Sequence, residues 1–255
     1  MKKLIVLVCL MILIFTGSAF AYTSLQNGVY LEQTVNKADV IKTGWKKILL
    51  DKYYIQINEP SILKFNLITN TGILDCKIVN EDEVDIMPSD FARCVTTEVP
   101  VQEIIYVDEG TYMMNVFGSF TNYFDTHDQG TFKVKATATS LKPTYTNKGN
   151  SFDTANPIKL NQSVIGFFAL NENDLSWHYL KFTLNAKTKV RIVINADKKF
   201  WKHMKVYNNY YKEIYSQSMN DFNEQLTLDK GTYYIALRKD ETRGYKYNVK
   251  LVPVQ

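Results

Sequence analysis

Few side chains of this 255-residue chain could do chemistry: three histidines, two carboxylate-rich segments, one run of lysines and aromatics, and three cysteines. Acid–base or nucleophilic catalysis needs such groups to converge. His127, His178 and His203 fall in no metal-ligand spacing, and none belongs to a His-Glu-x-x-His pair. Neither a Gly-x-Ser-x-Gly elbow nor a Gly-rich phosphate loop is present. The expectation is a non-catalytic protein. An enzyme would require the fold to set His127 or His178 beside carboxylates in a cleft.

Asp125-Thr126-His127-Asp128 precedes Gly130-Thr131-Phe132, and Glu81, Asp82, Glu83, Asp85 and Asp90 crowd a second segment. Oxygen-rich loops at the rim of a β-sandwich can hold Ca2+, which takes six to eight oxygen ligands. Asp125 and Asp128 are therefore the candidate metal ligands, with a solvated acidic loop as the alternative. In the basic run, Lys198, Lys199, Lys202, His203 and Lys205 surround Phe200 and Trp201, and Tyr207, Tyr210, Tyr211 and Tyr215 follow. Such a surface grips anionic polymers, glycans or a protein chain by cation–π and stacking contacts. Lys199, Trp201, Lys202 and Tyr210 are the candidate ligand contacts. The alternative is that alternate aromatics fill a core while the lysines solvate the outer face, as a strand period of two requires anyway.

Lys2 and Lys3 lead into an apolar run at 4–15 that ends in Ala19-Phe20-Ala21, the layout of a secretory signal cut after Ala21. The run is shorter than the ~20 residues that span a bilayer. Residues 1–21 thus read as a cleaved signal peptide, and the remainder as exported, periplasmic or extracellular, with no transmembrane segment. Cleavage removes Cys9 and leaves Cys76 and Cys94. An even pair in an exported chain predicts a disulfide; the alternative is two thiols whose Cβ atoms point apart. Residues 22–140 carry 10 basic and 16 acidic side chains, a net of −6, while 141–255 carry 18 and 10, a net of +8. Opposite halves can attract across a shared boundary or onto a second copy, so self-association stays open. The mature net charge of only +2 argues against nucleic acid as a partner.

The elements that must position these groups are strands. Val, Ile, Thr, Tyr and Phe recur in short alternating runs with Gly, Asn or Asp between them, and helical periodicity is nearly absent. The pattern lapses at 141–149, a linker between a domain at 22–140 and another at 150–255. The same plan stands on both sides. Asp108-Glu109-Gly110-Thr111-Tyr112 matches Asp229-Lys230-Gly231-Thr232-Tyr233, and each leads into an apolar strand. Residues 53–57 parallel 177–182, and 63–67 parallel 190–194. The period of roughly 120 residues is that of a domain repeat. Asn208-Asn209 reads as a tight hairpin turn. The expected fold is all-β: two tandem jelly-roll-like β-sandwiches after a signal peptide.

The second half also resembles a known family. Asn150-Ser151-Phe152-Asp153-Thr154-Ala155, Asn173-Asp174-Leu175-Ser176-Trp177-His178-Tyr179-Leu180-Lys181-Phe182, Lys205-Val206-Tyr207-Asn208-Asn209 and Asp229-Lys230-Gly231-Thr232-Tyr233-Tyr234-Ile235 are similar to motifs of the bacterial pre-peptidase C-terminal domain. That domain is related to the collagen-binding domains of secreted collagenases, some of which bind calcium. The likeness is clearest over 150–253, with 22–140 a divergent copy. Ser176 stands where a second acidic residue is usual, and His178 separates Trp177 from Tyr179. Family members ride behind a secreted peptidase, and no such catalytic domain is recognisable in this chain. The resemblance implies an exported binding or adhesion-type protein that contacts an extracellular polymer or envelope partner. The alternative is a structural or accessory subunit of a secreted or envelope complex.

Overall fold

Alternation at a period of two puts one face of each strand into a core, so these segments can only be satisfied by pairing and stacking sheets. The structure, a computed structural model, describes residues 22–38, 48–79, 93–119, 126–145, 148–170, 172, 175–196, 202–219, 222–239 and 244–254. Side chains at 48, 71–72, 93–103, 202 and 219 lie outside the description. So do the expected signal peptide and the acidic segment at 81–90.

The first half contributes β1 (Thr23–Ser24), β2 (Leu31–Asn36), β3 (Ile48–Ile57), β4 (Ser61–Val79), β5 (Arg93–Val107), β6 (Gly110–Ser119) and β7 (Gln129–Ser140). The second contributes β8 (Asn156–Pro157), β9 (Ser163–Phe168), β10 (Trp177–Leu184), β11 (Thr188–Ala196), β12 (Lys202–Asn208), β13 (Glu213–Met219), β14 (Phe222–Leu228), β15 (Gly231–Arg238) and β16 (Tyr245–Pro253). The all-β sandwich fold expected from the sequence is what forms.

In the first half one seven-stranded sheet folds over on itself along β4. Residues 61–69 of β4 pair with β7, and residues 73–79 pair with β6. The inward parity flips at the bend: Leu63, Phe65 and Leu67 face the core before it, Leu74, Cys76 and Ile78 after it. In the second half two separate sheets, ordered β13-β12-β15-β10-β8 and β14-β11-β16-β9, enclose the core.

The two halves follow one path. β1-β3-β6 with the end of β4 corresponds to β8-β10-β15-β12, and β2-β7 with the start of β4 corresponds to β9-β16-β11. What is one bent strand in β4 is two strands, β11 and β12, in the second half. Each Gly-Thr-Tyr opens the matching strand. Gly110 takes φ +146°, a conformation a Cβ disfavours. Two residues on, the Tyr112 hydroxyl donates to the Asp108 carbonyl at 3.2 Å, and Tyr233 does the same to Asp229 at 3.0 Å.

Two expectations need correction. The Cys76–Cys94 bridge is not formed: Cys76 is a buried thiol. The ladder sets Cys94 opposite Leu74, and Cys76 opposite Val116 of β6. Diagonal neighbours across such a ladder have Cα atoms about 7–8 Å apart, too far for a disulfide without backbone movement. The β12–β13 hairpin exists, but its loop is the four residues 209–212, closed by Asn208 N–H donating to Lys212 O at 3.1 Å.

The halves meet through a buried junction. Leu170 of the second half belongs to the first half's core, and its N–H donates to the Tyr106 carbonyl at 2.7 Å. Tyr106, Leu141, Phe167 and Ala169 form a small apolar cluster beside it. Lys148 bridges Asp108 of the acidic half and Glu172 of the basic half. Glu172 continues to His178 Nε2 at 3.0 Å, and His178 Nδ1 meets the Tyr247 hydroxyl at 2.9 Å. Burial opposes the Glu172 carboxylate, but His178 and Lys148 outweigh it and hold its pKa down at about 2. Burial pushes Asp108 up against the pull of Lys148.

Candidate functional site

The outer face of the β13-β12-β15-β10-β8 sheet gathers aromatic and basic side chains. Inward positions are filled by Leu180 and Phe182 of β10, Met204 and Val206 of β12, and Ile235 and Leu237 of β15. Alternation therefore turns Trp177, Tyr179 and Lys181, then His203, Lys205 and Tyr207, then Tyr234, Ala236 and Arg238 outward. The register aligns them in rows. Trp177 and His203 flank Arg238, Tyr179 and Lys205 flank Ala236, and Lys181 and Tyr207 flank Tyr234.

Phe152 descends onto this face from the turn before β8. Ser151 and Thr154 close that turn through their hydroxyls, at 2.9 Å from each other. The Phe152 ring lies 4.6 Å from Tyr179, 5.1 Å from Tyr207, 5.1 Å from Tyr234 and 4.5 Å from Tyr211, on which it stacks. Tyr211 reaches it from the β12–β13 loop at φ +58°, a left-handed conformation that costs a bulky residue on the order of 1 kcal/mol or more. The loop holds this shape because Asn208 Oδ1 accepts from the N–H of Tyr210 at 3.0 Å and of Lys212 at 3.1 Å. Tyr210 consequently projects at 82 % exposure beside the half-exposed Tyr211.

Charge rims the rings. The Lys205 ammonium lies 5.5 Å and the Arg238 guanidinium 5.8 Å from the Trp177 ring centroid, and Lys181 lies 5.8 Å from that of Tyr234. Lys205 also pairs with Glu213 at 2.8 Å, a bond that raises its pKa. Burial raises the Tyr179 and Tyr207 phenols, and the neighbouring Tyr234 raises Tyr211. The face thus offers flat apolar rings with hydroxyl donors and cations at the edge, suited to stacking and hydrogen bonding.

Of the residues singled out from the sequence, Tyr210 stands on this surface. Lys199 and Trp201 lie outside the described residues, as does the side chain of Lys202, whose backbone opens β12. Asp125 also lies outside them, and Asp128 is solvent-exposed, 3.9 Å from Lys37. Among the described residues no group of three His, Cys, Asp or Glu side chains could hold a metal ion. His127 bonds its neighbour Thr126 at 2.8 Å on the surface. His178 does meet a carboxylate, but at 1 % exposure it is sealed in the junction, stacked 4.0 Å from Phe168.

Sequence reasoning missed Phe152, Trp177, Tyr179, Lys181, Tyr234 and Arg238 as one surface. The alternation Trp177-His178-Tyr179-Leu180-Lys181 already marks Trp177, Tyr179 and Lys181 as sharing a face. Nothing local ties Phe152 to them.

No family profile matches the chain, and no curated protein does. Among solved structures, the pre-peptidase C-terminal domain of collagenase from Bacillus anthracis is similar at 16 % identity, over 38 % of this chain and 93 % of that one, with a TM-score of 0.33. The tandem CBM51 modules of a family 98 glycoside hydrolase from Streptococcus pneumoniae are similar at 10 % identity, over 80 % and 83 %, with a TM-score of 0.24. A Clostridium perfringens M60 catalytic domain with two CBM51 domains is similar at 9 % identity, over 81 % of this chain but 34 % of that one, with a TM-score of 0.26. Scores this low carry no functional weight.

Proposed function

We propose that this is an exported, non-catalytic binding protein that holds an extracellular polymer against the outer face of its second sandwich. The observation that carries this reading is the repeat itself. Counted from the glycine of each Gly-Thr-Tyr, the first half places Met113, Asn115 and Phe117 where the second places Tyr234, Ala236 and Arg238. Across the ladders, Lys52 stands for Tyr179, and Val79 for Tyr207. The same path of strands is therefore built without rings at the places of Tyr179, Tyr207 and Tyr234, although Tyr54 and Phe117 stand at those of Lys181 and Arg238, so the sheet does not need that aromatic cluster. Aromatic residues and Arg, fixed on a rigid sheet with one exposed tyrosine held out by a strained loop, are the side chains that dominate interface energetics.

The test is retention of the full-length protein in affinity gels carrying peptidoglycan, chitin, hyaluronate or gelatin. At least one polymer should retard it, and Trp177→Ala with Tyr210→Ala should weaken that binding by roughly thirtyfold, about 2 kcal/mol. Lys52→Ala, at the matching place in the first half, should leave it unchanged. Equal retardation of all three proteins would sink the reading.

A further inference from the structure

The other outer face of the second sandwich belongs to the sheet β14-β11-β16-β9. Val190, Ile192 and Ile194 of β11 and Tyr247, Val249 and Leu251 of β16 fill the core. Alternation therefore turns Lys189, Arg191 and Val193 outward on β11, and Lys246, Asn248 and Lys250 outward on β16. On the flanking strands it turns out Asn223, Gln225 and Thr227 of β14 and Ser163 of β9. Among the described residues these strands thus present cations outward and no carboxylate. Glu224, the acid of β14, has the inward parity of Phe222 and Leu228.

Register sets the cations in a line. Arg191 lies two residues beyond Lys189 on β11, and Lys250 stands opposite Val193, one row further and one strand across. A two-residue step is about 6.7 Å and neighbouring strands lie about 4.8 Å apart, so the Cα atoms follow at roughly 7 and 8 Å. Lys189 and Lys250 are exposed and Arg191 half-buried. Among the described residues none of these three has a carboxylate within ion-pair distance. Polar side chains fill the rows between them: Thr227 beside Lys189, Gln225 beside Arg191, and Ser163 beside Lys250. The matching face of the first half answers its own charge. There Lys133 of β7 stands opposite Glu32 of β2 and pairs with it at 2.9 Å, and Lys135 lies 4.2 Å from the Tyr30 ring centroid.

We propose that this face is a second binding surface, for a linear polysaccharide that carries carboxylates along its chain. Cations 7–8 Å apart converge on no single small ion, but each can meet one charge of a repeating polyanion. The amides and hydroxyls between them suit the hydroxyls of sugar units. No exposed ring stands among these outward side chains, so the face lacks the stacking platform that single-stranded nucleic acid uses. It lies on the opposite side of the sandwich from Trp177 and Tyr210 and stands independently of the aromatic face.

Titrating the full-length protein with polygalacturonate, and with the same polymer fully methyl-esterified, tests this. The acid form should bind at 50 mM salt at least tenfold more tightly than the neutral ester. Its affinity should fall about tenfold between 50 and 200 mM salt, as release of counterions by three contacts requires. Lys189→Gln, Arg191→Gln and Lys250→Gln together should weaken binding at least tenfold and flatten the salt dependence. Lys189→Arg with Lys250→Arg should retain it, and Lys133→Gln should leave it unchanged. Equal affinity for acid and ester overturns the proposal, as does unchanged binding by the triple variant or no binding at all. Binding that Trp177→Ala with Tyr210→Ala abolishes and the triple variant keeps would place the polymer on the aromatic face, overturning this proposal and not that reading. A salt-sensitive dimer without polymer, lost in the triple variant, would give the face to a second copy and overturn it too.

Discussion

The two halves are one strand path built twice, and they differ most where the path is least demanding. Cores agree in kind, because parity and sheet stacking leave little choice. The rim and the outer face do not. At the rim, the first half has Asp51 beside the buried Tyr53, whereas the second has His178 tied to Glu172 and Tyr247. The difference follows from the junction: among the described residues the second half's rim abuts another body there, so its polar group is sealed and partnered. A strand path repeated in tandem thereby specialises by position, the second half's rim becoming glue.

If the halves were independent, damage on one side of the junction would stay there. Leu170 is 4 % exposed in the core of the first half although it belongs to the second. Leu170→Ala should cost about 3 kcal/mol from the lost apolar burial and the cavity left behind. Hydrogen exchange should quicken at β6 and β7 as well as at β9. Unchanged protection in the first half would reduce the junction to a surface contact and break the comparison.

Acid sharpens the same point. The folded pKa of Glu172, about 2, lies below its ordinary value of 4.5. Its contribution is therefore complete above pH 4.5 and is lost as pH falls toward 2. Asp108, raised by burial, pulls the other way and softens the loss. The net change is on the order of 2 kcal/mol. Thermal melts between these limits should fall more steeply for the native protein than for Glu172→Gln. Parallel curves would show that the ions of the junction contribute nothing to its stability.

Much of this was legible in the chain. Gly-Thr-Tyr and the alternation around 53–57, 163–168 and 190–194 gave strands and a repeat, because both are local signals. The bend in β4 was not, since the inward parity passes from Leu67 to Leu74 within one unbroken strand and imitates two. The cysteine pair misled for a related reason: register decides whether Cys94 meets Cys76 or Leu74, and spacing cannot. The aromatic face was half visible, at Tyr210 and in the alternation from Trp177. Phe152 joins it only through a turn that precedes β8 by four residues.

The smallest effect probes the repeat most directly. Tyr112 and Tyr233 each donate a hydroxyl to the carbonyl four residues back, at 3.2 and 3.0 Å. Both rings are buried, at 4 % and 8 % exposure, so Phe preserves the packing and deletes only the bond. A neutral hydrogen bond of this kind contributes about 1 kcal/mol net. Tyr112→Phe and Tyr233→Phe should lower unfolding free energy by about that amount each, and add in the double variant because they sit in separate cores. Nearby charge is the one asymmetry: Asp108 is held in the junction by Lys148, while Asp229 lies at the surface, 3.4 Å from Lys187. If Tyr112→Phe costs twice as much as Tyr233→Phe, its bond also braces the Asp108 backbone for the junction. Equal costs mean that the bond serves each sandwich by itself and does not brace the junction.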